Sequence, residues 1–301
     1  MKLLNFGSLN YDYVYSVPHI IQEGETLLAN GLEQFCGGKG LNQSIALARA
    51  GIQVCHAGKV GTDGARLRKL CEENGIDNRF ILTGSDKTGH TMIQVDRDGQ
   101  NCILLYGGCN RSLTKEDIDS VLKNFEMGDF ILLQNEVNLI DYIIDRAYEK
   151  GMIIVLNPSP FDAQLNQCDL GKVSYFLLNE VEGLQMTGCS KPEEILDSMQ
   201  KKYPNAKTVL TLGKLGVQYR DGEQSLSHDA YPVSVVDTTA AGDTFTGYFI
   251  ASILRSEPVS EALRLASIAS SISVTRKGAT VSIPFMKEVR EAIPKFEKLP
   301  Q

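Results

Sequence analysis

Asp237-Thr238-Thr239-Ala240-Ala241-Gly242-Asp243, running straight into Thr244-Phe245-Thr246-Gly247, places small residues and one carboxylate together at a helix start. That combination suits an anion hole beside a catalytic base. Downstream, Phe245, Phe249 and Ile253 recur every four residues, and upstream Val233-Ser234-Val235-Val236 reads as a strand, so a strand-to-helix handover is expected here. A helix N-terminus offers unpaired N–H groups and the positive end of the macrodipole. Thr239 is a candidate cap, yet the capping-box position three residues later is Gly242, which gives up about 1 kcal/mol of helix propensity relative to Ala. Without a side chain there, a phosphate can approach the amides closely. The competing account is an ordinary capped helix with Asp243 as a favourable first-turn acid.

A second glycine cluster, Phe35-Cys36-Gly37-Gly38-Lys39-Gly40-Leu41-Asn42-Gln43, also leads into an apolar-periodic segment (Ile45, Leu47, Ala48, Ile52). Known glycine motifs for phosphates do not fit it. A Walker A loop requires Ser or Thr after its Gly-Lys, and Gly40 follows Gly38-Lys39. A dinucleotide fingerprint starting at Gly38 requires glycine where Gln43 stands.

Together the two clusters resemble the signatures of the ribokinase-like (PfkB) carbohydrate kinases. Further matches follow in the family's order: Gly7-Ser8-Leu9-Asn10-Tyr11-Asp12, Gly24-Glu25-Thr26, Asn157-Pro158, Asn179-Glu180-Val181-Glu182, Thr211-Leu212-Gly213-Lys214-Leu215-Gly216 and Val274-Thr275-Arg276-Lys277-Gly278-Ala279. The resemblance covers essentially the whole chain. It implies ATP-dependent phosphoryl transfer to a primary hydroxyl of a sugar, with D-ribose the expected acceptor. Deoxyribose, a ketohexose or a nucleoside are alternatives, as is a sugar-binding regulator without catalysis.

By the same resemblance Asp243 is the general base, and the amides of Ala240, Ala241, Gly242 and Asp243 face the developing charge. Asn10, Asp12, Gly38, Lys39, Gly40, Asn42 and Glu136 line the sugar pocket with Asp243, although Lys39 as a phosphate contact stays open. ATP is expected on Asn179, Glu182, Thr211, Gly213, Gly216, Gly242 and Ser267, with Asn179 and Glu182 sharing a helix face and organising Mg2+ largely through water. A monovalent cation, K+, is expected at Asp237, Thr239, Ser273, Arg276, Gly278 and Ser282, several acting through the backbone. Read without the resemblance, Arg276-Lys277-Gly278 is the basic last turn and C′ glycine of a helix. Leu41, Cys109, Thr246 and Ser267 depart from the family pattern. The first two sit where the sugar pocket or lid would change, the others on helices behind the nucleotide.

Elements able to position these residues are visible in the hydropathy pattern. Apolar runs at 3–7, 54–60, 130–134, 153–157, 175–178 and 208–212 alternate with helix-length periodic segments, which predicts a doubly wound, mostly parallel sheet flanked by helices. Residues 12–34 lack a helix signal, and Thr91 to Tyr106 reads as a hairpin turning at Asp98-Gly99. The resemblance makes these segments, about 12–36 and 88–110, a small β-sheet lid inserted in a single 1–301 domain and the clasp of a homodimer. Another hairpin is expected around Asp221-Gly222. Net charge is -7, so a nucleic-acid or acidic-membrane partner is not indicated and anionic substrates must be held locally. Seven cysteines without a Cys-x-x-Cys pair point to free thiols in a cytoplasmic protein. No apolar run is long enough to span a membrane.

Overall fold

The computed structural model describes residues 1–296; the remainder of the expected 1–301 domain, 297–301, lies outside the described residues. The chain opens with β1 (Leu3–Phe6), β2 (Asn10–Ser16), β3 (Gly31–Gly37) and helix α1 (Lys39–Arg49). Next come β4 (Val54–Val60), α2 (Ala65–Glu73), β5 (Asp77–Thr83), β6 (Gly89–Val95) and β7 (Asn101–Tyr106). The middle of the chain alternates α3 (Lys115–Leu122), β8 (Phe130–Gln134), α4 (Ile140–Glu149), β9 (Ile153–Asn157), β10 (Tyr175–Asn179), α5 (Glu180–Thr187), α6 (Pro192–Lys202) and β11 (Lys207–Thr211). A hairpin of β12 (Val217–Arg220) and β13 (Ser225–His228) precedes α7 (Ala241–Leu254), α8 (Val259–Ser273) and α9 (Met286–Phe296).

Nine strands form one sheet in the order β13-β12-β11-β10-β9-β8-β1-β4-β5. Pairing is parallel from β11 to β5, and the β11–β12 and β12–β13 pairs are antiparallel. Successive residues of each central strand enter opposite cores, as the two-residue period of a strand requires. Leu3, Leu132, Val155, Leu177 and Val209 pack with α1, α7 and α8, whereas Leu4, Ile131, Leu133, Ile154 and Leu178 pack with α3, α4 and α6. Coverage on both faces explains why these strands read as continuous apolar runs. The strand order reverses between β1 and β8, which creates a crevice at their carboxyl ends.

Four other strands form a separate sheet, β3-β2-β6-β7. The hairpin turning at Asp98-Gly99 and the one at Asp221-Gly222 both form as expected. Two readings are corrected. Val233-Ser234-Val235-Val236 makes no strand: it meets no sheet edge, Val235 and Val236 are exposed, and the N–H groups of Val236 and Asp237 both donate to Val274 O. Helix α8 ends at Ser273 with Val274 as its C-cap, so Arg276, Lys277 and Gly278 lie beyond its last turn.

Helices α1 and α7 touch closely because Gly247 has no side chain. A Cβ there would sit 2.4 Å from Ala46 Cβ and 2.9 Å from Leu47 N. Two helices cannot approach so nearly with any larger residue at that position. Gly247→Ala is therefore expected to lower stability by about 1–3 kcal/mol through overpacking, despite the gain in helix propensity. Urea unfolding measures this, and an unchanged midpoint would contradict it.

Candidate active site

The first glycine turn is seated directly on the carboxyl end of β1. A Cβ on Gly40 would lie 2.4 Å from Ser8 N and 2.5 Å from Gly7 C, and Gly38 enters α1 with φ +95°. Leu41 N donates to Ser8 O at 3.0 Å, which locks the turn to the strand end. Across the crevice, Glu136 accepts from Ser8 Oγ and from Lys39 N, the latter at 3.0 Å. Burial pushes Glu136 up, opposed by the Lys39 charge and these hydrogen bonds. Burial works to lower Lys39, but the pull of Asp243, Glu136 and Glu182 wins and leaves its ammonium raised. Asn10 Oδ1 accepts from Asn110 Nδ2 at 2.7 Å, and Asn10 N lies where a Cβ on Gly38 would touch. Asp12, on β2, accepts from Thr91 Oγ1 at 2.5 Å, and burial raises its pKa. Asp12 therefore belongs to the smaller sheet, beside Gly37.

The second turn meets the first through Asp243. Its carboxylate is 7% exposed, and Oδ2 accepts from Asn42 Nδ2 at 2.9 Å while Oδ1 accepts from Gln43 Nε2 at 2.8 Å. Both donors come from α1. The N-cap of α7 is Ala240, not Thr239: Ala240 sits in the left-handed region (φ 60°, ψ 10°), a conformation that costs about 1–2 kcal/mol for a residue with a Cβ. Thr239 instead bonds to Asp237 Oδ1 through its N–H (2.9 Å) and its hydroxyl (2.7 Å). The Ala241 amide donates to Thr238 O at 3.2 Å and is not free for an anion, because the chain turns tightly there. Among the described residues, the amides of Ala240, Gly242 and Asp243 have no such partner.

Two cavities flank this turn and share Asn179, Thr211, Ala241 and Gly242 in their walls. One contains Lys39, Glu182, Thr246 and Asp243; the other contains Gly213, Gly216, Phe245 and Ser267. A Cβ added to Gly242 would meet no atom within 4 Å. Packing does not require that glycine, and its open side faces both cavities.

Asn179 is the N-cap of α5, so it does not share the helix face expected of it with Glu182. The two form a capping box: Asn179 Oδ1 accepts from Val181 N and Glu182 N, and Glu182 Oε2 accepts from Asn179 N at 2.8 Å. Asp237 joins the 237–239 turn to the segment after α8, since its Oδ2 accepts from Gly278 N at 2.9 Å. Burial would raise Asp237, but the hydrogen bonds from Thr239 and Gly278 prevail and hold its carboxyl below the usual range. Ser273 and Ser282 are fully buried nearby in sequence, their hydroxyls donating to Ser270 O and Ala279 O. The Arg276 side chain pairs with Glu288 at 2.6 Å and leaves only its backbone for any ion. Among the described residues, no cluster of three His, Cys, Asp or Glu is arranged to hold a metal.

Two of the family departures lie away from the crevice. Leu41 is fully buried in the α1–α7 core, and Cys109 Sγ donates to Asp86 O beneath the smaller sheet. Thr246 and Ser267 each line a cavity. Gln43 and Ser8 were assigned no role from sequence, yet both bind candidate site carboxylates. Gln43 had one legible signal, its place one residue after Asn42 at a helix start.

Comparison with known proteins fits this geometry. Residues 1–286 match the model of the pfkB family carbohydrate kinases. The chain belongs to this family. A ribokinase of Staphylococcus aureus (strain COL) is 36% identical over 301 residues, covering 96% of this chain and 99% of the relative. A ribokinase of Cryptococcus neoformans var. grubii serotype A, solved with ADP, superposes with a TM-score of 0.84 at 31% identity, covering 96% and 99% of the two chains. An Arabidopsis thaliana ribokinase complexed with ribose and ATP gives 0.85 at 27% identity, covering 96% and 97%. The pfkB assignment makes the open face of Gly242 testable. Gly242→Ala is expected to unfold at equal or higher urea, by up to about 1 kcal/mol, while kcat falls at least tenfold. Wild-type turnover in that variant would show that no ligand approaches the glycine closely.

Proposed function

We propose that this chain transfers the γ-phosphoryl group of ATP to the 5-hydroxyl of D-ribose, giving ribose 5-phosphate and ADP. The observation that carries this reading is the fixed carboxylate of Asp243 at the junction of two glycine turns, within a cavity that also contains Lys39 and Gly242. Ribokinase relatives at about one-third identity over nearly the full chain support the substrate. Asn10, Asp12, Asn42 and Glu136 supply the mixed donors and acceptors that sugar hydroxyls need, with Gly38 and Gly40 allowing close approach. Asp243 takes the hydroxyl proton late, as the metaphosphate-like group forms. The free amides of Ala240, Gly242 and Asp243 receive the developing charge, and Lys39 adds a cation on the same side. The adjoining cavity, with Thr211, Gly213, Gly216 and Ser267, takes the nucleotide.

The residues present fit the two ions of the reading. Each Glu182 oxygen retains a lone pair after its hydrogen bond to Asn179, which suits Mg2+ held through water. An oxygen-rich set around ionised Asp237, with backbone groups of Thr239, Arg276 and Gly278 and the buried Ser273 and Ser282, suits a weakly charged ion such as K+. When bound, these cations supply positive charge beside the migrating phosphoryl group.

The smaller sheet acts as a lid and dimer clasp in this account. Its register puts Asp12, Thr91 and Leu105 in one row and Val14, Ile93 and Ile103 in the next, on the same face. Ile103 is 57% exposed and Leu105 44%, an apolar surface that a second lid would cover. Among the described residues no helix is long and apolar enough to cross a membrane, and the seven cysteines are unpaired, in keeping with a cytoplasmic enzyme.

ADP formation over a panel of pentoses, hexoses and nucleosides tests the substrate, with D-ribose expected to give the highest kcat/KM and K+ to raise the rate. Sugar-independent turnover would defeat the reading. Asp243→Asn is expected to lower kcat by about 10²–10⁴-fold with ribose affinity little changed. Normal turnover would reduce Asp243 to a helix acid. Ile103→Lys is expected to convert a dimer to monomers in sedimentation, and a monomeric wild-type chain would remove the clasp.

A further inference from the structure

Gln43 sits between Asp243 and a row of buried amides that the phosphoryl-transfer chemistry does not itself call for. Its Nε2 donates to Asp243 Oδ1 at 2.8 Å and to Asn157 Oδ1 at 3.1 Å, which uses both protons. Its Oε1 accepts from Gln134 Nε2 at 2.6 Å, and the same nitrogen donates to Asn5 Oδ1 at 2.9 Å. Asn5 Nδ2 donates in turn to Gly40 O at 2.7 Å and to Ser44 Oγ at 2.8 Å. Gln43, Gln134, Asn5 and Ser44 are all fully buried.

The direction of every bond in this row is set by backbone carbonyls, which can only accept. Gly40 O requires the nitrogen of the Asn5 amide, so Asn5 Oδ1 must face Gln134. Gln134 must then present its nitrogen, and Gln43 must meet it with oxygen. The nitrogen of Gln43 is left for Asp243. Asn157 gives the same answer independently: its Nδ2 is held by Leu177 O at 2.8 Å, which turns its Oδ1 toward Gln43. Reversing any one amide would bring oxygen against oxygen in a buried site, at the cost of an unsatisfied group.

We propose that Gln43 is a positioning residue: a donor of locked polarity, anchored through Gln134 and Asn5, that holds the Asp243 carboxylate in place and aimed at the acceptor hydroxyl. The inference rests on Asp243 as the base, as proposed above. Asn42 holds the other oxygen, but among the described residues its own buried Oδ1 has no hydrogen-bond partner, so its amide is not anchored in turn. Gln43 is thus the contact that ties the base to the sheet. Geometry is the currency here, because a misplacement of about 1 Å can cost about 10²-fold in rate.

Steady-state kinetics on the full chain test the proposal, with Gln43→Leu, Gln43→Glu and Asp243→Asn made singly and Gln43→Leu combined with Asp243→Asn. Gln43→Leu is expected to lower kcat about 10–100-fold while KM for ribose and for ATP stays within about threefold of wild type. Asp243→Asn should cost less in the Gln43→Leu background than in wild type, since a misplaced base is worth less. Gln43→Glu keeps the shape and replaces the donor with a second carboxylate, so the acid limb of its kcat profile should move to higher pH. That variant decides the matter if Gln43→Leu does not fold. A kcat within threefold of wild type in the folded Gln43 variants, full additivity, or an unmoved acid limb in Gln43→Glu would overturn the positioning role while a large loss in Asp243→Asn leaves the base in place. Normal turnover in Asp243→Asn would remove the base and this inference with it.

Discussion

The contact between α1 and α7 is the constraint on which the site depends. Each helix begins with a glycine-bearing turn, and about 200 residues separate them in sequence. Gly247 lets the helices close to a distance at which Asn42 and Gln43 reach the Asp243 carboxylate. Gly40 performs the matching task at the other end, letting α1 rest on the β1 carboxyl end beside Ser8 and Glu136. The two glycine turns are thereby fixed to one crevice by backbone proximity, and flexible side chains do not set their separation.

A chain with net charge -7 binds anionic substrates only if local groups outweigh the overall field. Directed dipoles in the crevice are suited to this. Ala240 is held in a left-handed conformation at the start of α7, and among the described residues the amides of Ala240, Gly242 and Asp243 are left without acceptors, an arrangement suited to an anion. Lys39 lines the same cavity, and the pull of Asp243, Glu136 and Glu182 keeps its ammonium raised despite burial. Glu136 in turn anchors the first turn through Ser8 and the Lys39 amide, so the same acid shapes the pocket and sustains the charge beside it.

Much of this was legible in the sequence, and the limits are physical. The central strands announced themselves because burial on both faces demands unbroken apolar runs. The edge strand β5 did not, because Asp77-Asn78-Arg79-Phe80-Ile81 mixes polar and apolar residues on a half-solvated edge. Val233 to Val236 has the composition of a strand but pairs with no sheet edge, and strand propensity is decided by neighbours. The capping role of Ala240 was hidden because an alanine in the left-handed region has no sequence signature. Asn179 and Glu182 were placed near each other correctly, but their capping box makes them structural to α5 as well as available to a ligand. Gln43 was invisible in a different sense: its partners Gln134, Asn157 and Asp243 lie far along the chain, and only the folded sheet assembles them.

The most direct measurement is a crystal structure with D-ribose and a non-hydrolysable ATP analogue bound together. The account predicts the ribose 5-oxygen within hydrogen-bond reach of the Asp243 carboxylate, about 2.6–3.2 Å, with the terminal phosphate on the amides of Ala240, Gly242 and Asp243. A sugar seated elsewhere, or a phosphate held away from that turn, would contradict it.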